Sequence, residues 1–261
     1  MLTTLANYRL FSSNLDRQLT TTSQKPQVAR ESEYYLANIS KAKSIDDFLA
    51  DDRLFNYAMK AFGLSDMSYA KAFMRKVLEE GIDSSNTFAN KLSDSRYKEF
   101  AATFNFARFG TVTTIMTDAQ QGTVDRYTRQ TMEEDAGSQN EGVRLALYFE
   151  RKASTITSPY SILADKALLQ VVQTSLGLPA TMSMLDIDKQ ADMITKKLDV
   201  EDFKDPEKVE KFLMRFTALW DVNNSTVAET SPAALLIGGS STPGVSGGLL
   251  TAIQNLRLGG A

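Results

Sequence analysis

The residues best suited to chemistry are carboxylates, and each set lacks something its chemistry would need. "DIDKQAD" places Asp186, Asp188 and Asp192 close together, the start of a calcium-loop spacing. Such a loop needs Gly at its sixth position and Glu at its twelfth, but here those are Ala191 and Lys197. The run therefore reads as a helix start with acidic caps, and no metal ligand is expected. Asp51 and Asp165 recur within a repeated phrase, and paired carboxylates could do acid–base work or hold a cation. The plainer reading is that each caps a helix, facing amides that have no intrahelical partner. "GGSSTPGVSGG" is glycine-rich, but no Gly-Lys-Ser/Thr follows to grip a phosphate. The chain has no histidine to activate the serine of a G-x-S-x-G elbow.

The chain has no His and no Cys among its 261 residues. This removes the commonest general base, the commonest transition-metal ligand, disulfides and thiolate zinc sites. Only Ser, Lys, Asp and Glu chemistry is left, and no S-x-x-K stands in a recognisable context. We expect no catalytic residue and no cofactor. The 29 basic and 32 acidic side chains are well mixed, with a net charge of −3. No basic stripe offers a nucleic-acid footprint. The N-terminus lacks the charged start and apolar run of a secretory signal. No window approaches 18 uninterrupted apolar residues, so no membrane span is expected.

Helical periodicity dominates the elements that must position these groups. Ser44 with Asp46 and Asp47 reads as a capped start, Gly63 as a stop, and Asp51 or Asp52 as a second cap between them. Further helices are predicted at about 68–80, 85–93, 93–110, 118–135 and 141–156, then in "DIDKQADMITKKL" and "DPEKVEKFLMRFTALWDV". Phe100, Phe104, Phe212, Phe216 and Trp220 have core spacing rather than that of a ligand box. "TVTTIM", 111–116, is the one strand-like run. A lone strand cannot make a sheet, so it reads as a connector.

One phrase occurs twice. "FLADDRLFNYAMKAFGL" at 48–64 is echoed by "ILADKALLQVVQTSLGL" at 162–178, at an offset of 114. Setting 34–64 against 148–178 without gaps gives nine identities in 31 positions, including Tyr34/Tyr148, Ser40/Ser154 and Ser44/Ser158. Duplication of a unit of roughly 75 residues is the economical reading; shared capping and packing rules are the alternative. The predicted fold is all-α and multihelical, with two related subdomains packed together. Its predicted parts are a flexible N-terminal segment at 1–27, a first helical repeat at 28–110, connecting helices at 111–147, a second repeat at 148–224 and a flexible apolar tail at 225–261. The shared leucines Leu49, Leu54, Leu64, Leu163, Leu168 and Leu178 are expected to be buried. In the tail, Leu249, Leu250, Ile253, Leu256 and Leu258 follow a Gly/Ser linker and are candidate partner-binding residues. A short helix gains stability only by laying its apolar face on something else.

The phrases "EYYLANI", "DDFLADDRLFNYAMKAFGL", "YAKAFMRKVLEEG", "FANKLSDSRYKEFAATFNFA", "LALYFERKA" and "DFKDPEKVEKFLMRFTALW" resemble a bacterial family known as domain of unknown function 1217. The resemblance covers about residues 8–222. It implies an all-helical fold and, because members are often encoded among flagellar genes, an association with motility. It implies no catalytic residue. Together these readings point to a non-enzymatic helical protein that acts through protein partners, flagellar components among them, with self-association open. It would be cytoplasmic or exported through the flagellar apparatus. A soluble cytoplasmic adaptor or chaperone is the alternative, and a hydrolase working without His or Cys a minor one.

Overall fold

The computed structural model describes residues 2–224, and among these no strand occurs. The tail residues Leu249, Leu250, Ile253, Leu256 and Leu258 lie outside the described residues. The helices are α1 (Thr4–Ser12), α2 (Leu15–Ser23), α3 (Pro26–Asn38), α4 (Ile45–Ala50), α5 (Asp52–Ala61), α6 (Lys71–Glu80), α7 (Phe88–Lys91) and α8 (Ser95–Thr103). They continue with α9 (Phe106–Phe109), α10 (Gln121–Gln139), α11 (Glu141–Lys152), α12 (Pro159–Ala164), α13 (Lys166–Leu176), α14 (Ile187–Thr195) and α15 (Pro206–Asn224). The protein is all-α and multihelical. The connector 111–116 is part of a 3₁₀ turn, Gly110–Ile115. The single helix expected over 93–110 is two, because Asn105 accepts from Arg108 N at 3.1 Å and starts a new turn.

Two apolar cores form. The first runs from Val28 to Tyr127 and centres on Phe48, Phe55, Met59, Leu78, Phe100 and Phe104. The rings of Phe48 and Phe104 stack at 4.8 Å. The second gathers Tyr8 with residues from Met132 to Phe216, including Leu145, Phe149, Val171, Val172 and Leu213. α10 serves both, giving Tyr127 to the first core and Met132 and Ala136 to the second. Gly142 permits a close approach in the second core, because a Cβ there would collide with the Trp220 indole. Residues up to Asp221 form one compact unit, and a second begins at Val222.

Two boundaries differ from expectation. The N-terminal segment 1–27 is not a loose arm: it folds into α1, α2 and the first residues of α3. Thr4 is buried and takes part in a polar clasp. Its backbone N donates to Asp221 Oδ2 at 3.0 Å, its hydroxyl donates to Asp221 Oδ1, and Asn140 Nδ2 donates to Thr4 Oγ1 at 2.8 Å. A Thr/Ser/Gln-rich sequence looks solvated until a long-range partner 217 residues away takes its hydroxyl. The stretch 111–147 also does more than connect, since Met132, Ala136, Val143 and Leu145 are members of the second core.

The repeated phrases build the same local structure. Ser44 Oγ accepts from Asp47 N at 3.0 Å, and Ser158 Oγ accepts from Ser161 N at 3.3 Å. Each opens a helix of six residues, α4 and α12. Asp51 and Asp165 then cap the next helix. Both helices end on a glycine with positive φ, Gly63 at 69° and Gly177 at 60°. Beyond each, a leucine N–H reaches back, Leu64 N to Met59 O at 2.8 Å and Leu178 N to Gln173 O at 2.9 Å. This six-to-one bond closes the helix end, and glycine is favoured where φ is left-handed. Of the six shared leucines, five are buried. Leu163 is half-buried. Ile162 is fully buried, as Phe48 is at the matching position, so the register is kept and only the cover over the next residue is thinner in the second half.

Candidate functional site

The recurring carboxylates are structural. Asp51 Oδ1 accepts from Arg53 N and Leu54 N, both at 3.0 Å. Asp165 Oδ1 accepts from Ala167 N at 2.9 Å and Leu168 N at 3.2 Å. The second carboxylate oxygen of each takes a tyrosine hydroxyl. Tyr34 Oη donates to Asp51 Oδ2 at 2.9 Å, and Tyr148 Oη donates to Asp165 Oδ2 at 2.6 Å. Both tyrosines are raised above their ordinary pKa, Tyr34 chiefly by this hydrogen bond and Tyr148 chiefly by burial. The sequence held the clue, since Tyr34/Tyr148 and Asp51/Asp165 keep the same offset. Only the fold shows that the pairs touch.

Between the two cores runs a seam of satisfied charge. Glu133, 1% exposed, accepts from Arg129 Nε at 2.7 Å and from Arg151 Nε and Nη2 at 2.9 and 2.8 Å. Lys152 Nζ donates to Glu99 at 2.5 and 2.7 Å. Arg96 chelates Asp94 and donates to Gly63 O at 2.5 Å. Each of these charges has its partner, and Lys152 with Glu99 ties α11 to α8.

Two surface features remain. The first is an apolar edge after α13. Pro179 leads into a 3₁₀ turn, Ala180–Met184, pinned by the buried Met182. Leu185 N donates to Met182 O at 3.0 Å and Gln190 Nε2 to Leu185 O at 2.7 Å, which fixes the path of the backbone. α14 turns Ala191 and Ile194 inward, and its first turn stands clear. Met184 is consequently 85% exposed, and Leu185 and Ile187 are also in solvent. Tyr160 of α12 joins them, its hydroxyl donating to Asp188 Oδ1 at 2.8 Å. Asp188 is thus a tyrosine acceptor, and Asp186 lies 3.5 Å from Lys189. Among the described residues, no group of three or more acids could hold a metal ion. Sequence reading passed over Met184, Leu185 and Ile187 because apolar residues next to a helix start look like core until the neighbouring chain is placed.

The second feature is a cleft of about 690 Å³ between α1, the end of α11 and the start of α15. Tyr8, Phe203 and Val209 form its apolar floor, and Arg9, Glu150, Lys204 and Glu210 stand around it. Dehydration raises the Glu150 carboxyl above its ordinary pKa, while Arg129 and the Tyr8 hydroxyl pull it the other way. Burial, followed by the charge of Glu150, raises the Tyr8 hydroxyl. No local pattern announces this cleft, because it assembles from residues as far apart as Tyr8 and Glu210.

Among the described residues, no helix is long and apolar enough to cross a membrane. The structure is similar to the crystal structure of a protein from Agrobacterium tumefaciens. The two are 51% identical, with a TM-score of 0.79, over 86% of this chain and 97% of that one. No curated protein matches. A sequence model of a family described as proteins of unknown function, DUF1217, matches residues 61–209, more than half of the chain. That span is narrower than the resemblance read from 8–222: it takes in "YAKAFMRKVLEEG", "FANKLSDSRYKEFAATFNFA" and "LALYFERKA" whole, parts of two other phrases and none of "EYYLANI"; the chain belongs to the DUF1217 family.

Proposed function

We propose that the protein is a non-enzymatic helical adaptor that works by docking other proteins, in association with the bacterial flagellum or its assembly. The observation that carries this reading is the apolar edge of Met184, Leu185 and Ile187 beside Tyr160. Exposed apolar side chains gathered on a rigid turn are suited to a protein partner. The caps and the seam support it, because the carboxylates of the repeated phrases and the acids between the cores are held by structural bonds. The apolar tail residues from Leu249 to Leu258 supply a second docking element in this reading. The flagellar setting rests on the resemblance of the phrases in the chain to a family often encoded among flagellar genes. A cytoplasmic adaptor or chaperone outside the flagellum is the second reading, and the mixed charge and the apolar edge suit it equally.

The test is a pull-down from motile cells followed by mass spectrometry, using the full chain and the double variant Met184→Glu, Ile187→Glu. Recovery of flagellar components by the wild type, lost in the variant, supports the reading. Recovery of only non-flagellar proteins favours the adaptor alternative. Recovery that is equal with both proteins removes the edge from the account.

A further inference from the structure

The cleft beside α1 has a charge pattern of its own. At about 690 Å³ it falls within the ~300–1,000 Å³ common for ligand sites. The cations on its rim already face acids: Arg9 lies 3.7 Å from Glu210, and Lys204 Nζ donates to Glu201 at 2.7 Å. Glu150 forms no such pair among the described residues. The groups acting on its charge are Arg129, the Tyr8 hydroxyl, which hydrogen-bonds to it, and the acids Glu133 and Glu210. Arg129 is taken up by Glu133 at 2.7 Å. The ring of Tyr8, with Phe203 and Val209, offers an apolar wall next to that carboxylate. Glu150 stands exposed with no ion pair of its own, Arg129 being held by Glu133, and an incoming positive charge would give it one. An anion would meet Glu150 and Glu210 and find both rim cations already occupied.

We propose that this cleft takes an aliphatic cation, an ammonium or guanidinium carried on an apolar stem, with Glu150 as counter-charge and Tyr8, Phe203 and Val209 around the stem. The chemistry is shared by a free alkylamine and by a lysine or arginine side chain of a docked protein. The inference does not depend on the apolar edge, none of whose residues lines the cleft.

Calorimetric titration of the full chain tests it, with pentylamine and an oligolysine peptide as probes and pentanoate and oligoglutamate as their anionic counterparts. Saturable binding of at least one cationic probe is expected. Glu150→Gln should weaken it by about tenfold, the loss of one charge contact. Asp118→Asn, which removes an acid that does not line the cleft, should leave it unchanged and so exclude general attraction to a net negative chain. Ser154→Lys, at an exposed lining position, should block the site with a tethered ammonium of its own. Binding of pentylamine identifies a small amine as occupant, and binding of oligolysine alone identifies a partner side chain. The proposal is overturned if neither cation saturates, if Glu150→Gln and Ser154→Lys bind as well as wild type, or if the anions bind instead. Unchanged melting curves of the variants show that any loss belongs to the cleft and not to unfolding.

Discussion

The same device stands at two places in this molecule and meets two environments. In the first half Tyr34 and Asp51 are half-exposed, and Arg53 lies 3.8 Å over the Tyr34 ring while binding Glu31 at 2.8 Å. In the second half Tyr148 and Asp165 are 6% and 9% exposed. The cation nearest to them electrostatically is Arg96, which belongs to the first half and is itself held by Asp94 and Gly63 O. The backbone geometry is alike in both: a serine cap, a six-residue helix, an aspartate cap, a second helix and a left-handed glycine. Burial is what differs. The local sequence determines how a helix starts and stops, and the rest of the chain decides whether that start lies in water or under another element.

The largest effects should fall where the halves agree. Leu54 and Leu168 are buried at matching positions, so Leu54→Ala and Leu168→Ala should each cost ~2–5 kcal/mol in denaturant unfolding, from lost burial plus a cavity. The pair Leu49→Ala and Leu163→Ala should diverge, with the half-buried Leu163 losing clearly less. Equal losses at Leu49 and Leu163 would mean that the second half packs its short helix as the first does.

The aspartates should separate the halves next. Asp51→Ala removes a partly exposed cap, where water can replace the carboxylate, and should cost ~1 kcal/mol. Asp165→Ala leaves the N–H groups of Ala167 and Leu168 and the Tyr148 hydroxyl without their acceptor in a dry place, and should cost about 2–4 kcal/mol. Chemical denaturation of the two variants side by side reads the difference directly.

How far the sequence reached follows from the same distinction. The caps Ser44, Asp51, Ser158 and Asp165 and the stops Gly63 and Gly177 were legible, because each acts within four residues of itself. The aromatic core was legible from spacing: Phe100, Phe104 and Phe216 are fully buried. The packing of the N-terminus was not, since Thr4 is fixed by Asp221 and Asn140, and no local pattern announces such a partner. The cleft was not legible for the same reason, its walls coming from α1, α11 and α15. The edge at Met184 was hidden differently. Met182 is buried and Met184 stands in solvent, two residues apart in one 3₁₀ turn, and composition cannot say which faces the core.

The smallest predicted effect isolates one hydroxyl. Tyr34→Phe keeps the ring that Arg53 covers and removes a bond that water can replace, so stability should stay nearly unchanged. Tyr148→Phe removes a buried O–H donated to a carboxylate at 2.6 Å, a charge-assisted bond with no water to take its place, and should cost about 1–2 kcal/mol. Tyr148→Phe made in an Asp165→Ala background should cost much less, because the acceptor is already gone and the phenyl ring then suits its apolar surroundings better than an orphaned hydroxyl. That double-mutant cycle reports on the pair and not on general packing. If Tyr34→Phe and Tyr148→Phe lose the same amount, burial does not separate the two devices. The second half would then open enough in solution for water to reach Asp165, and the contrast between the halves would rest on their cations, Arg53 over Tyr34 against Arg96 and Arg151 beside Tyr148.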